Sequence, residues 1–202
     1  ALQLGVSRPV VHEGLIDLAA KGLVTMKPRV GTVVSDYRRE GSLAILNSII
    51  NYQQGGLDER LLSSLLAIRE LVETETTRLA AQNRTTEHLD ELQAIAQAEE
   101  KASPRDLATV TRLDFSFHHA IGMASGNLIY PLLINSFKPV YMNFTSLFFS
   151  DPSMLPETVR FHRRLVQAIQ DRDTQQAGSV MHETLMHGER HLRRILAEAQ
   201  RR

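Results

Sequence analysis

Apolar residues recur three and four positions apart through most of this 202-residue chain. That is the period a helix needs to lay an apolar stripe against a core. From about residue 42 onward, the runs "SLAILNSIINYQ", "DERLLSSLLAIRELVETETTRLAAQ", "TEHLDELQAIAQAEEKA" and "PRDLATVTRLDFSFHHAIGMAS" all follow it. So do "LIYPLLINSFKPVYMNFTSLFF", "LPETVRFHRRLVQAIQD" and "DTQQAGSVMHETLMHGERHLRRILAEA". Gly55 with Gly56, Ser103 with Pro104, Gly126 with Asn127, and "SDPSMLP" interrupt the runs, since glycine and proline end helices. The pattern predicts a mainly α protein whose larger part, 42–202, is an antiparallel all-helical bundle of about six or seven helices.

Residues 1–36 follow a different grammar. Ser7 is a suitable N-cap, Pro9 falls in a first turn where its missing N–H costs nothing, and Gly22 supplies the stop. Between them Val11, Leu15 and Leu18 recur at helical spacing. Two β-prone runs, "LVTM" and "GTVVS", then flank "KPRVG", which reads as a hairpin with a basic tip. A helix followed by a basic hairpin is the order of a winged helix-turn-helix, where the helix enters the major groove and the wing touches backbone or minor groove. Residues 37–41 read as a linker between this head and the bundle.

Composition narrows the function classes. Hydrophobic content of 43% and charged content of 23% are those of a globular chain with a real core. The absence of cysteine excludes disulfides, thiolate-held zinc and thiol catalysis, and fits a cytoplasmic location. No run approaches the ~18 apolar residues of a membrane span, and the opening residues do not read as a signal peptide. Formal net charge is +0, so any nucleic-acid contact must come from a local patch.

One stretch, "DFSFHHAIGMASGN", carries candidate chemistry. With Val110 at zero on a helical wheel, Phe117 and Ile121 fall within about 20° of it and mark the core side. Asp114 falls at about 40° and His118 at about 80°, on one flank and able to share an ion, whereas His119 falls at about 180° and faces solvent. A buried carboxylate–imidazole hydrogen bond explains the same pair without a metal. Arg69 has two readings of equal weight: a partner for Glu73 four residues on, or a cation facing an acidic ligand. "HETLMH" imitates the zincin motif, but His182 and His187 are five apart and cannot hold one ion from one helix face. No nucleophile elbow, P-loop or dinucleotide-binding glycine pattern is present, so no enzyme is expected.

Taken together, "LGVSRPVVHEGLIDLAAKGLV" and "PRVGTVVSDY" resemble the head of the GntR family of bacterial transcription regulators. "AIRELVETETTRLAA", "LDFSFHHAIGMASGNLIYPLL" and "FHRRLVQAIQDRDTQQAGSVM" resemble the helical effector-binding domain of its FadR branch. The resemblance spans nearly the whole chain. "ASGNLIYPLLINSFKPVYMNFTSLFF" and "DYRREGSLAILNSI" look closer to the branch's fatty-acid regulators than to its metabolite regulators. A complete head of this family has a further helix and the start of the helix-turn-helix before "LGVSR". The resemblance therefore implies a head incomplete at its N-terminus here, with weak DNA binding expected of the chain as given.

On this reading Arg8 contacts base or phosphate, Ser7 caps the helix and can touch phosphate, and His12 lies one turn on, where the family usually has Arg. Lys27 and Arg29 on the wing reach phosphate or minor groove, and Gly31 lets backbone approach. Ordinary surface charge is the alternative for each. Many relatives hold a divalent metal with an Asp and a His at this spacing, a third ligand matching His162, and a histidine near the middle of the last helix. Here Thr184 stands at that last position. His187, one turn along, is the candidate substitute. Water or an effector carboxylate on Asp114, His118 and His162 would serve equally, and so would no metal at all, as in the acyl-coenzyme A-binding relatives. Oxygen and imidazole donors suit Zn²⁺, Ni²⁺ or Mn²⁺. Arg69, Thr184 and His187 are the expected effector contacts.

The expected function is ligand-responsive regulation. A homodimer would bind a double-stranded palindromic operator, and a small acidic metabolite or acyl-coenzyme A in the helical domain would alter that affinity. A metal-dependent hydrolase and a helical interaction module that binds no DNA are the alternatives.

Overall fold

The computed structural model describes residues 1–52 and 59–201. The chain divides into two compact units, 1–56 and 57–202. The first unit takes in the expected head and the two helices that follow it. The Gly55–Gly56 break lies outside the described residues.

In the first unit a 3-10 turn at Leu2–Leu4 leads into α1 (Arg8–Ala20), with Ser7 at the N-cap position and Pro9 in the first turn. Ser7 makes no side-chain cap bond, so its place is set by backbone alone. Val11, Leu15 and Leu18 are the half-buried side of α1. Gly22 ends it at φ 75°, and a Cβ there would stand 2.1 Å from the Glu40 carbonyl oxygen. Glycine is thus required twice, for conformation and for space. The expected hairpin forms from β1 (Val24–Lys27) and β2 (Gly31–Val34), antiparallel, with Val24 opposite Val34 and Lys27 opposite Gly31. Asp36 then caps α2 (Tyr37–Glu40), accepting from the Arg38 N–H, so the expected linker carries a helical turn of its own. Helix α3 (Ile45–Tyr52) follows.

Seven helices make up the described residues of the second unit, in agreement with the expected bundle: α4 (Glu59–Asn83), α5 (Thr86–Lys101), α6 (Leu107–Ala124), α7 (Tyr130–Ser136), α8 (Lys138–Phe148), α9 (Met154–Gln170) and α10 (Thr174–Gln200). Two differences from the periodicity are physical. The single run "LIYPLLINSFKPVYMNFTSLFF" breaks at Phe137, because Pro139 has no N–H to continue the ladder. Helix α9 starts at Met154, inside the stretch read as a break.

Helix α4 packs against α10, α6 and α9, and α5 covers α6 and α9. The largest core cluster draws Ala80 and Ala81 from α4, Leu92 from α5, Phe117 and Ile121 from α6, Leu165 and Ile169 from α9, and Val180 and Met181 from α10. Gly178 lets α10 approach α4 closely, since a Cβ there would meet the Arg78 side chain at 2.5 Å. A second cluster around Val72, Phe115, Ile134 and Tyr141 closes the α4–α6–α8 side, next to the site described below.

Candidate effector and metal site

Helix α6 is started by Asp106, whose Oδ1 accepts the Thr109 N–H at 3.1 Å. Eight residues on, it presents Asp114 to the interior, and one turn later His118, which are 6% and 3% exposed. The wheel put both on a flank; α8 packs on α6 as well, so that flank is buried too. His119 lies half-buried on another side, stacked on Phe115 and 3.1 Å from Asn135.

Helix α9 brings His162 to the same point, and it is fully buried. Asp114, His118 and His162 each offer one ligand atom, and these atoms lie within 4.8 Å of one another. His162 Nε2 is 3.8 Å from Asp114 Oδ1 and has no hydrogen-bond partner. One carboxylate oxygen and two imidazole nitrogens are a donor set that fits Zn²⁺, Ni²⁺ or Mn²⁺.

Further polar residues surround the three, and spacing along the chain singles out only Arg69 and Glu73 among them. Glu99 of α5 is 1% exposed, and its Oε2 lies 2.7 Å from His162 Nδ1. Glu73 of α4 pairs with His118 through Oε2, off the line of a proper hydrogen bond, while Arg69 Nε donates to its Oε1 at 2.6 Å. Tyr141 of α8 donates its hydroxyl to Asp114 Oδ2 at 2.5 Å and accepts from Arg69 at 3.2 Å. The Phe117 ring lies flat on His162, with centroids 3.8 Å apart and planes 10° apart.

Charge explains how so polar a cluster is tolerated in a core. Burial pushes the Glu73 carboxyl up, but Arg69 and then His118 outweigh it and hold it at about 2. Burial also opposes the His162 cation, yet Glu99, Asp114 and Glu73 raise its pKa above the ordinary value. The Tyr141 hydroxyl is pushed well above 10, by burial first and then by Asp114, and so acts as a fixed donor. Formally, the three carboxylates of Glu73, Glu99 and Asp114 against the one guanidinium of Arg69 leave two negative charges. One divalent cation would balance them.

Two cavities meet here. A polar one of about 50 Å³ is lined by Asp114, His118, Thr158, Thr184 and His187 among others. An apolar one of about 70 Å³ is lined by Leu62, Leu65, Val72, Ile134, Phe137, Val140 and Tyr141 among others. Leu66, Arg69, Phe144, Thr145 and Leu192 line both, forming a common wall. Of the two readings of Arg69, the pair with Glu73 forms, and the side chain also borders both cavities.

Thr184 lines the polar cavity, but its hydroxyl donates back to the Val180 carbonyl at 2.7 Å. His187 also lines it, with Nε2 engaged by Glu157 at 2.7 Å, and is not brought together with Asp114, His118 and His162. Neither of the last helix's other histidines joins them: His182 pairs with Glu70 and His191 lies beside Asp151 and Arg194. In the first unit, Ser7, Arg8 and His12 are exposed at the start of α1, and Lys27, Arg29 and Gly31 are exposed on the hairpin. Arg29 sits at the tip with φ 64°.

The fold, the exposed basic hairpin and the carboxylate–imidazole cavity define the class. Residues 64–187 match the FCD domain, and residues 1–34 match the family described as bacterial regulatory proteins, gntR family. The chain belongs to that family of transcription regulators, in its FCD-containing group. It is 27% identical over 170 residues to a fatty acid metabolism regulator protein of Shewanella pealeana, covering 84% of this chain and 69% of the relative. With the protein of that name from Yersinia enterocolitica it shares 29% over 162 residues, 80% of this chain and 65% of the relative. The chain thus spans about two thirds of the length of these relatives. Among solved structures, Lar of Listeria monocytogenes superimposes with a TM-score of 0.67 at 17% identity, over 96% of this chain and 83% of that one. That likeness is one of fold.

Proposed function

We propose that this regulator works in the bacterial cytoplasm as a homodimer on a short palindromic operator, and that an acidic metabolite in the helical unit alters its affinity for DNA. Two recognition helices related by a twofold axis match two operator half-sites. Arg8, with Ser7 and His12 beside it, is assigned to the major groove or its phosphates, and Lys27, Arg29 and Gly31 to the wing contact. The observation that carries the ligand-binding half is the buried trio Asp114, His118 and His162, of which Asp114 and His118 open on a cavity that Arg69, Thr184 and His187 also line.

A divalent cation there would be held by Asp114, His118 and His162, and when bound it supplies a Lewis-acidic position for a ligand carboxylate oxygen. Arg69 adds fixed positive charge at the cavity wall. The neighbouring apolar cavity supports a ligand with an acyl portion, as the names of the relatives do. A ligand moves the DNA equilibrium only by binding one arrangement of the protein better than the other.

Native mass spectrometry of protein purified without chelator reads metal, retained ligand and dimer together. A gel shift at two salt concentrations tests the head. Arg8→Ala should cost on the order of 1–3 kcal/mol at both salts if Arg8 reads a base, and mainly flatten the salt dependence if it touches phosphate. No change at either salt removes Arg8 from the interface. Turnover of simple esters that chelation abolishes would overturn the regulator reading in favour of a hydrolase.

A further inference from the structure

Glu99 and His162 face one another between α5 and α9 with no access to solvent, at 1% and 0% exposure. A carboxylate can only accept, so the hydrogen on the 2.7 Å contact belongs to the imidazole Nδ1. The other ring nitrogen, Nε2, is then the one that faces Asp114 Oδ1. Their separation of 3.8 Å is too long for a hydrogen bond, and Nε2 has no other partner. Two donors on one tetrahedral zinc stand about 3.4 Å apart, close to this spacing. The ring cannot turn over freely to exchange its nitrogens, because Phe117 lies flat against it at 3.8 Å.

We propose that Glu99 is a positioning residue for a metal site: it fixes His162 in the orientation and tautomer that leave Nε2 free for a divalent cation shared with Asp114 and His118. Glu73 stands in the same relation to His118, lying against its Nδ1 while Arg69 holds the other carboxylate oxygen. Carboxylates behind ligating histidines raise their basicity and hold their ring planes. The inference rests on the metal reading above and goes beyond it, since Glu99 lines neither cavity and touches the ion only through His162.

The test uses the whole chain, stripped of metal and reloaded with cadmium as probe, with its imidazole nitrogens isotopically labelled. Scalar coupling between cadmium and nitrogen is expected on Nε2 of His162; coupling on Nδ1 overturns the proposal and needs no variant to be seen. Zinc affinity, measured by competition with a chelator, should fall about 10–100-fold in Glu99→Leu. Glu99→Gln keeps a carbonyl that accepts the Nδ1–H, so it should retain coupling on Nε2 and most of the affinity. A merely structural ion pair would alter melting temperature in both variants and leave the ligating nitrogen and the zinc affinity of folded protein unchanged, and that result also overturns the proposal. Wild-type protein that takes up neither zinc nor cadmium removes the metal reading itself. Equal affinity of wild type and folded Glu99→Leu removes only the role of Glu99.

Discussion

Phe117 does two jobs with one ring. It is fully buried in the main core cluster and is the flat surface against which His162 rests. Phe117→Ala should therefore cost about 3–5 kcal/mol in denaturant unfolding, the range for an emptied aromatic site. It should also loosen His162, so that zinc affinity of the folded fraction falls together with stability. Unfolding that changes by less than about 1 kcal/mol would mean that the core collapses into the space. At this scale the sequence was partly legible. Four-residue spacing placed Asp114 and His118 together, and the resemblance added His162. Spacing offers Glu73 only as the partner of Arg69, and Glu99 and Tyr141 escape it because polar side chains are common on helices and most face water. The signal was present nonetheless: Glu99 continues the buried stripe Leu92, Ala96, and an acid on an apolar stripe demands a partner.

Among the elements, α6 matters most for the site, and its start depends on a titratable group. The Thr109 backbone N–H, with its hydroxyl second, holds the Asp106 carboxyl below its ordinary 3.8. A carboxyl depressed in the folded state stabilises it fully above the unfolded value and loses that contribution as pH falls through the folded value. The loss therefore falls below pH 3.8. Asp106→Asn keeps an acceptor for the cap without a proton to take up. The variant should melt much like wild type at neutral pH and show a shallower decline on the acid side; identical acid limbs would show that Asp106 has no part in them. Helix existence was legible from periodicity almost throughout, because each helix buries a stripe. The division of α7 from α8 was not, since apolar spacing continues straight across Phe137 and only Pro139 marks the change.

For the whole molecule, the two compact units invite a thermal comparison. A ligand that binds only folded protein stabilises by about 2.7 kcal/mol at a hundred times its dissociation constant. Zinc should accordingly raise the melting transition of the helical unit and leave that of the head in place, with chelator reversing the shift in calorimetry. A shift confined to the head would place the ion elsewhere. The order of head and bundle was readable because the hydrophobic period changes near residue 36. The cavities were not readable, because they are spaces between six helices, and no spacing along one helix reports them.

The wall that the two cavities share has a thermodynamic consequence. Leu66, Arg69, Phe144, Thr145 and Leu192 border both, so a guest that shifts Arg69 or Phe144 reshapes its neighbour's chamber as well as its own. Binding free energies are path-independent. Whatever factor an acid in the polar chamber applies to the affinity of an apolar guest next door, that guest must return to the acid. On the ligand-binding reading proposed above, the bundle would behave as one two-compartment receptor, with loading followed from either side.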